Sequence, residues 1–384
     1  MVKIQVNSQG KAYKTNSNKY LKPNSFANEG KYLVMVIDYD GTVLKQDYLN
    51  TGDTFTMPAP PSHEGLVFQE WSAPLQITNN TVTIGIDDCI IGAVYTTASG
   101  KCEFDITLNT LTGKEVTLNM DGTKEWGDGT SDTLTTHTYA DYGNYTILCD
   151  GTTMSSDSTA SLFGSNSSNI NYYVTDVRLA PVRASSYAFF YCYSLKTITI
   201  PRGTTQGYTA WFYGNRGIKY VIFPANTTNI GSSTFRGATG IKIVVIPYGV
   251  TAGSTLFRSA GVEYAVMPLT KTQGNGTYCF YTTEVRRIVD STTAITGQIA
   301  NSATKLEEYI CTKNITSVAA NAFSSCYQKM VIDLSKCTAV PTLADINAFS
   351  GINQLTQIKV PKSLETSWKG ETNWSTYADN IVGV

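Results

Sequence analysis

Apolar and polar residues alternate with a period of two through most of the chain, which predicts strands rather than helices. In YLVMVIDYDGTVLKQDYL (32–49) two such runs flank Asp40-Gly41, the pattern of a tight hairpin. EGLVFQEWS (64–72) and TVTIGIDDCIIGAVY (81–95) predict further strands. The run Pro58-Ala59-Pro60-Pro61 between these elements ends pairing, because proline has no ladder donor. A second set of short strands is expected in EFDITLNT, EVTLNM and HTYADYGNYTI, the last placing Tyr145 and Ile147 on one face above Trp126. Residues 152–173, rich in Ser, Thr and Asn, read as a linker.

Beyond residue 173 the pattern becomes a repeat. Phe189, Phe212, Phe235, Phe257 and Phe280 lie 23, 23, 22 and 23 residues apart; Phe323 follows after 43 and Phe349 after 26. Each precedes an apolar strand, such as SLKTITIP, GIKYVIFP or GIKIVVIP. A unit with one strand cannot bury its own face, whereas stacked units can. The pattern weakens near Ala300, which lacks the Phe, and at Met330–Leu334, where the register is unclear. The final stretch, PKSLETSWKGETNWSTYADNIV, has apolar residues at helical spacing and is expected to cap the solenoid.

With Leu195, Ile198 and Ile200 pointing inward, Thr197 and Thr199 point outward. The equivalent outward residues include Tyr220, Ile222, Ile243, Val245, Tyr264, Val266 and Arg287, so several units present an apolar stripe. Such a stripe is expected to bind a partner. Coverage by a neighbouring domain, or simple strand propensity, are the other readings.

Three stretches resemble known families. DYDGTVL, GDTFTMPAPPSHEGLVFQEWS and the strand ending AVY resemble the Listeria–Bacteroides repeat, a β-grasp-like module. WGDGTSD followed by HTYADYGNYTI is similar to the PKD domain, an Ig-like sandwich. AFFYCYSLKTITIP and AFSSCYQKM resemble the AFxxCxxL core of the BspA-like leucine-rich repeat. The expected fold is therefore mainly β and modular: an N-terminal β arm (1–28), a β-grasp-like module (29–97), an Ig-like β-sandwich (98–151), a linker (152–173) and a leucine-rich-repeat solenoid with a C-terminal capping helix (174–384).

Composition narrows the function. Charged residues make up only 15% of the 384, and the net charge is −1 with no basic run longer than Arg286-Arg287. Electrostatic binding of nucleic acid or membrane surface is not expected. No apolar run is long enough to insert in a membrane, and MVKIQVNSQGKAYKTNSNKYLK has no signal-peptide core. The eight Cys form no CxxC and read as buried thiols rather than a disulfide framework. Asp128 and Asp132, with Asp121 and Glu125 upstream, are weak calcium candidates without the spacing of a calcium loop. A turn in which Asp128 bonds the backbone is the stronger expectation. His63 and His137 are the only histidines, and neither sits in a catalytic or zinc signature.

No cofactor is expected. The resemblances imply a non-enzymatic adhesion or receptor-binding protein, extracellular or on a cell surface. Its partners would be a host, matrix or cell-surface protein or glycan, with self-association also open. The alternative is a bacteriophage virion protein, a head or tail decoration or fibre, contacting other virion proteins or the host surface.

Overall fold

The computed structural model describes residues 4–6, 12–14, 31–85, 88–156, 161–164, 170–204, 208–262, 264–267, 279–283, 285–290, 292–295, 297–326, 329–352 and 354–384. The described elements are nearly all strands, and the C-terminal half is a β-solenoid. Of the expected N-terminal arm, Ile4–Val6 and Ala12–Lys14 pair antiparallel, and the rest lies outside the described residues.

The first module is a four-stranded sheet in the order Val43–Leu49, Tyr32–Ile37, Cys89–Thr97, Leu66–Ser72. The predicted hairpin joins the first two of these; Asp38 N donates to Thr42 O (2.8 Å), and Gly41 takes a left-handed φ of 88°. The two central strands run parallel and are apolar on both faces, as strands covered on both sides must be. Val34, Val36, Cys89, Ile91 and Tyr95 pack on Phe55, Trp71 and Val82 within the module. Leu33, Met35, Ile37, Ile90 and Val94 face the other way, onto the solenoid.

Residues 98–151 are not a detached spacer. Cys102–Leu108 pairs antiparallel with Gly143–Cys149 on one side and with the first solenoid strand, Val174–Arg178, on the other. One six-stranded sheet thus runs from Ser131–Asp132 to Thr197–Thr199 and closes the leading edge of the solenoid. Arg178 clamps the junction, with Nη1 2.7 Å from Asp105 Oδ2 and Nε 2.9 Å from Glu103 Oε2. The expected linker also belongs to this body. Met154, Leu162, Phe163 and Tyr173 are buried in the same core as Phe104 and Phe189. The polar composition of 152–173 misleads because its polar groups satisfy backbone: Asn171 Nδ2 donates to Phe163 O (3.2 Å), Tyr173 Oη to Phe163 O (2.8 Å) and Ser156 Oγ to Ser186 O (2.9 Å).

Two backbone ladders hold the coils together. On one face, strands from Tyr264–Met267 through Arg287–Asp290, Glu308–Cys311, Lys329–Asp333 and Gln354–Val360 to Ile381–Gly383 form a parallel sheet. The uncertain register at Met330 is a shift in pairing between Met330 and Val331. On the opposite, turn face, residues two before and two after the repeat Phe adopt left-handed φ. Ala210, Ser233, Thr255 and Asn321 occupy the first position; Tyr191, Ser259, Thr282 and Ser325 occupy the second. Six of these eight donate their N–H to the next coil, as Tyr191 does to Tyr213 O at 2.9 Å and Ser233 to Ser254 O at 3.0 Å. The strain of these residues, of order 1 kcal/mol each, is offset by that inter-coil bonding.

Between the ladders the Phe rings form a column, with neighbours from Phe189 to Phe280 5.3–5.7 Å apart and within 17° of parallel. Ala300 takes the Phe position of its coil, and the strand that follows carries Tyr309, whose ring stands edge-on to Phe323 at 4.7 Å. Trp374 covers the end of the column against Phe349, and its indole donates to Pro341 O (2.7 Å). The cap is less helical than expected: one six-residue α-helix, Glu365–Gly370, flanked by 3-10 turns, before the last strand joins the sheet.

Candidate binding surface

The sheet-face stripe is occupied from within the chain. Tyr220 and Ile222 are 7% and 5% exposed, Ile243 and Val245 9% and 1%. All four pack on Leu33, Met35, Ile37, Ile90 and Val94 of the first module. Polar contacts fix the docking: Ser72 Oγ donates to Phe223 O (2.6 Å), Ala225 N to Glu70 Oε1 (2.8 Å) and Tyr248 N to Ala73 O (2.9 Å). Arg287 is buried and held by Glu308 Oε2 at 2.7 Å. The expectation of an open stripe at these five residues is therefore corrected: apolar side chains stood outward because another sheet lies on them. The side chains of Tyr264 and Val266 lie outside the described residues.

The turn face offers a different set. The residue after each repeat Phe forms a column: Phe190, Tyr213, Arg236, Arg258 and Tyr281, then Asn301, Ser324 and Ser350. In the first five coils these side chains stack on one another and on their neighbours. Phe190 lies parallel to Tyr213 (4.7 Å, 18°), and Arg236 lies over the Tyr213 ring at 5.4 Å. Arg216 lies over Tyr193 at 4.2 Å, and Arg258 over Tyr281 at 5.0 Å. Tyr191 bridges Tyr193 and Tyr213 edge-on, seated where Gly214 leaves no Cβ: one built there would fall 2.1 Å from its ring. Tyr172, 49% exposed, extends the cluster from Tyr193. Arg216 is exposed and Arg236 half-exposed, and among the described residues neither makes an ion pair with a carboxylate. Sequence reasoning used the Phe spacing and stopped there; the next position, read down the same spacing, carries this signal.

Both ladders, the Phe column and the coil period agree with the comparison to known families. A model described as BspA type leucine rich repeat region matches residues 182–286 and 275–370, in six copies. Over residues 182–370 the solenoid is similar to that family. No curated protein matches the chain.

Outside the leucine-rich repeat, the candidate chemical residues are committed to structure. Asp128 accepts from Thr130 N (3.0 Å), Thr130 Oγ1 (2.6 Å) and His137 Nε2 (2.8 Å), and His137 stacks on Trp126 at 4.9 Å. Asp132 accepts from Trp126 Nε1 (3.1 Å) and Leu134 N (2.9 Å). The Gly-rich loop is thus a turn whose carboxylates hold its own backbone. Asp38 is more than a turn residue: it is buried and bonded to His63 Nε2 at 2.7 Å, beneath Tyr39 and Tyr95. All eight Cys are buried and free, and burial pushes the Cys102, Cys279 and Cys326 thiols up to about 12. A cleft of 710 Å³ opens where the module meets the repeat, lined by Met57, Pro60, Phe68, Glu70, Trp71 and Ala225. Its carboxylate, Glu70, is taken by Ala225 N and by Arg202 Nη1 at 3.6 Å. Among the described residues no helix is long and apolar enough to cross a membrane.

Proposed function

We propose that this protein is a non-enzymatic binding protein displayed on a surface, and that it meets its ligand through the turn face of the leucine-rich repeat. The observation that carries this reading is the Phe190–Tyr213–Arg236 column, a half-exposed run of rings and guanidinium groups crossing successive coils. Aromatic and Arg side chains held in place by packing are the side chains that dominate interface energy. Residues 29–97 serve as a β-grasp-like Listeria–Bacteroides repeat, an inference supported by the hairpin and the mixed four-stranded sheet. Residues 98–151 act as a PKD-like sandwich, supported by Trp126 and Tyr139 at its core. In this reading the first module braces the sheet face and the second caps the solenoid, leaving the turn face for the partner.

A labelled chain incubated with epithelial cells and with bacterial cells tests the reading by flow cytometry. Retention that falls about tenfold in the Arg216→Gln/Arg236→Gln variant supports it. Equal retention of both proteins, or none by either, overturns it.

A second reading, a virion protein that decorates a phage head or tail, is favoured by the eight buried free thiols, which suit folding in a reducing compartment. Immunogold labelling of intact phage particles would carry that reading over the first.

A further inference from the structure

Resting on the turn-face reading, we infer that the column takes an anionic polysaccharide, one whose sugar rings bear carboxylate or sulfate groups. Four observations converge on it. First, charge is segregated. Residues 177–262 contain nine Lys and Arg and no Asp or Glu, so all 30 acidic residues lie elsewhere although the whole chain is near neutral. This is the segment that builds the first coils of the column. Two of the nine, Arg178 and Arg202, pair with Glu103, Asp105 and Glu70 of the other modules, and the positive excess that remains favours an anionic partner.

Second, Arg216 and Arg236 are positioned by the rings beneath them, 4.2 and 5.4 Å from the Tyr193 and Tyr213 centroids. A guanidinium lying over a ring keeps its N–H edges for a ligand, and that planar fork matches a carboxylate or sulfate. Third, Tyr172 and Tyr193, edge-on to each other at 5.7 Å, put aromatic surface beside those cations. The C–H faces of a sugar ring pack on such surface, while its hydroxyls stay hydrated.

Fourth, hydroxyl groups run down both flanks of the column. Ser233 and Thr255 are 2.8 Å apart, Ser254 and Ser232 3.2 Å, and Ser259 and Thr282 2.8 Å, each pair bridging two coils. A ligand rich in hydroxyls matches a surface that presents them on the successive coils from Ser232 to Thr282. A nucleic acid fits less well. Single strands bind where flat ring faces are free to take bases and where cations line the phosphate track. Here the Phe190 and Tyr213 faces are stacked on each other, and among the described residues of the column only Arg236 and Arg258 are cations.

Biolayer interferometry on the full chain tests this, with a hyaluronan decasaccharide, a heparin decasaccharide, a neutral dextran decasaccharide and a short oligothymidylate as probes. The expected result is binding to one or both anionic saccharides and not to dextran, weakened by salt and reduced about tenfold in Arg216→Gln/Arg236→Gln. Binding to hyaluronan identifies carboxylate as sufficient, and binding to heparin alone identifies sulfate. Both substitutions are on the surface and leave the rings in place; a melting temperature equal to that of the parent confirms the fold. No saccharide binding, binding unchanged in the variant, or tighter binding of oligothymidylate would overturn the inference. If cells are retained through the two Arg residues but neither anionic saccharide binds, the ligand class is wrong and the face stands. If retention on cells is also independent of them, both fail.

Discussion

Ile222 sits on Gly92: a Cβ built at residue 92 would come within 2.6 Å of the Ile222 side chain. Gly41 does the same for Tyr220, whose ring lies 2.3 Å from where a Cβ would be. The module and the leucine-rich repeat meet here as side chains of one set into glycine gaps in the other.

Gly92→Val should therefore lever the module off the repeat. Overpacking a filled contact costs about 1–3 kcal/mol, which calorimetry would register as a lower melting temperature. Proteolysis should also cut near residues 98–101 faster than in the parent. Ile222→Asp should act in the same direction and more strongly, because it strands a carboxylate among Leu33, Met35 and Ile90. Parental melting curves for both variants would show that the docking is loose.

Tyr309 and Asp290 make a buried hydrogen bond inside the solenoid, where Ala300 replaces the repeat Phe. Burial raises the Asp290 pKa, against the bonds from Tyr309 and Thr292 that favour its charged form. Tyr309→Phe keeps the ring against Phe323 and removes only the donor, so urea unfolding should show a loss of about 1–3 kcal/mol. Ala300→Phe alone should also destabilise. Its pairing with Tyr309→Val should recover part of the loss in a double-mutant cycle if Tyr309 fills the volume the missing Phe leaves.

The turn at Asp128 predicts an acid-sensitive step. Burial by itself would raise this carboxyl, yet the bonds from the Thr130 hydroxyl, His137 and Thr130 N–H outweigh it and hold the pKa at about 2. A folded-state value below the unfolded one of about 3.9 gives stability that is full above that pH and lost as pH falls through about 2. Asp128→Asn should flatten the part of the melting-temperature profile between those two values. An unchanged slope would mean that the turn does not report on folding.

Thiol chemistry gives a fourth outcome. With all eight Cys buried, an aromatic disulfide reagent should titrate none in the native chain and all eight in denaturant. Adding reductant should leave the melting temperature unchanged. Fast reaction of any thiol in the native state would contradict the packing around it.

Much of this fold is legible in the sequence because its signals are local or strictly periodic. The Asp40-Gly41 hairpin follows from turn chemistry, and the solenoid follows from the spacing of Phe189 through Phe349. Residues 152–173 are the counter-example. Their polar composition is that of a linker, yet Leu162, Phe163 and Tyr173 are buried, because polar side chains there such as Ser156 and Asn171 serve backbone groups in a core that forms only when distant segments meet. The stripe at Tyr220, Ile222, Ile243 and Val245 shows the same limit. Its direction was readable from strand alternation, but its occupant was not. A hint was present in YLVMVI and CIIGAVY, strands apolar on both faces, which require a cover on each side.

The sequence by itself determined the elements: which segments are strands, where each coil turns and that coils must stack, since each obeys a rule of spacing a few residues wide. Tertiary structure alone decided which surfaces stay open. Burial depends on which faces find a partner across long stretches of chain: Gly92 met Ile222 across 130 positions, so the sheet face closed at Tyr220, Ile222, Ile243 and Val245. The turn face of the same coils stayed open, with Arg236 over Tyr213.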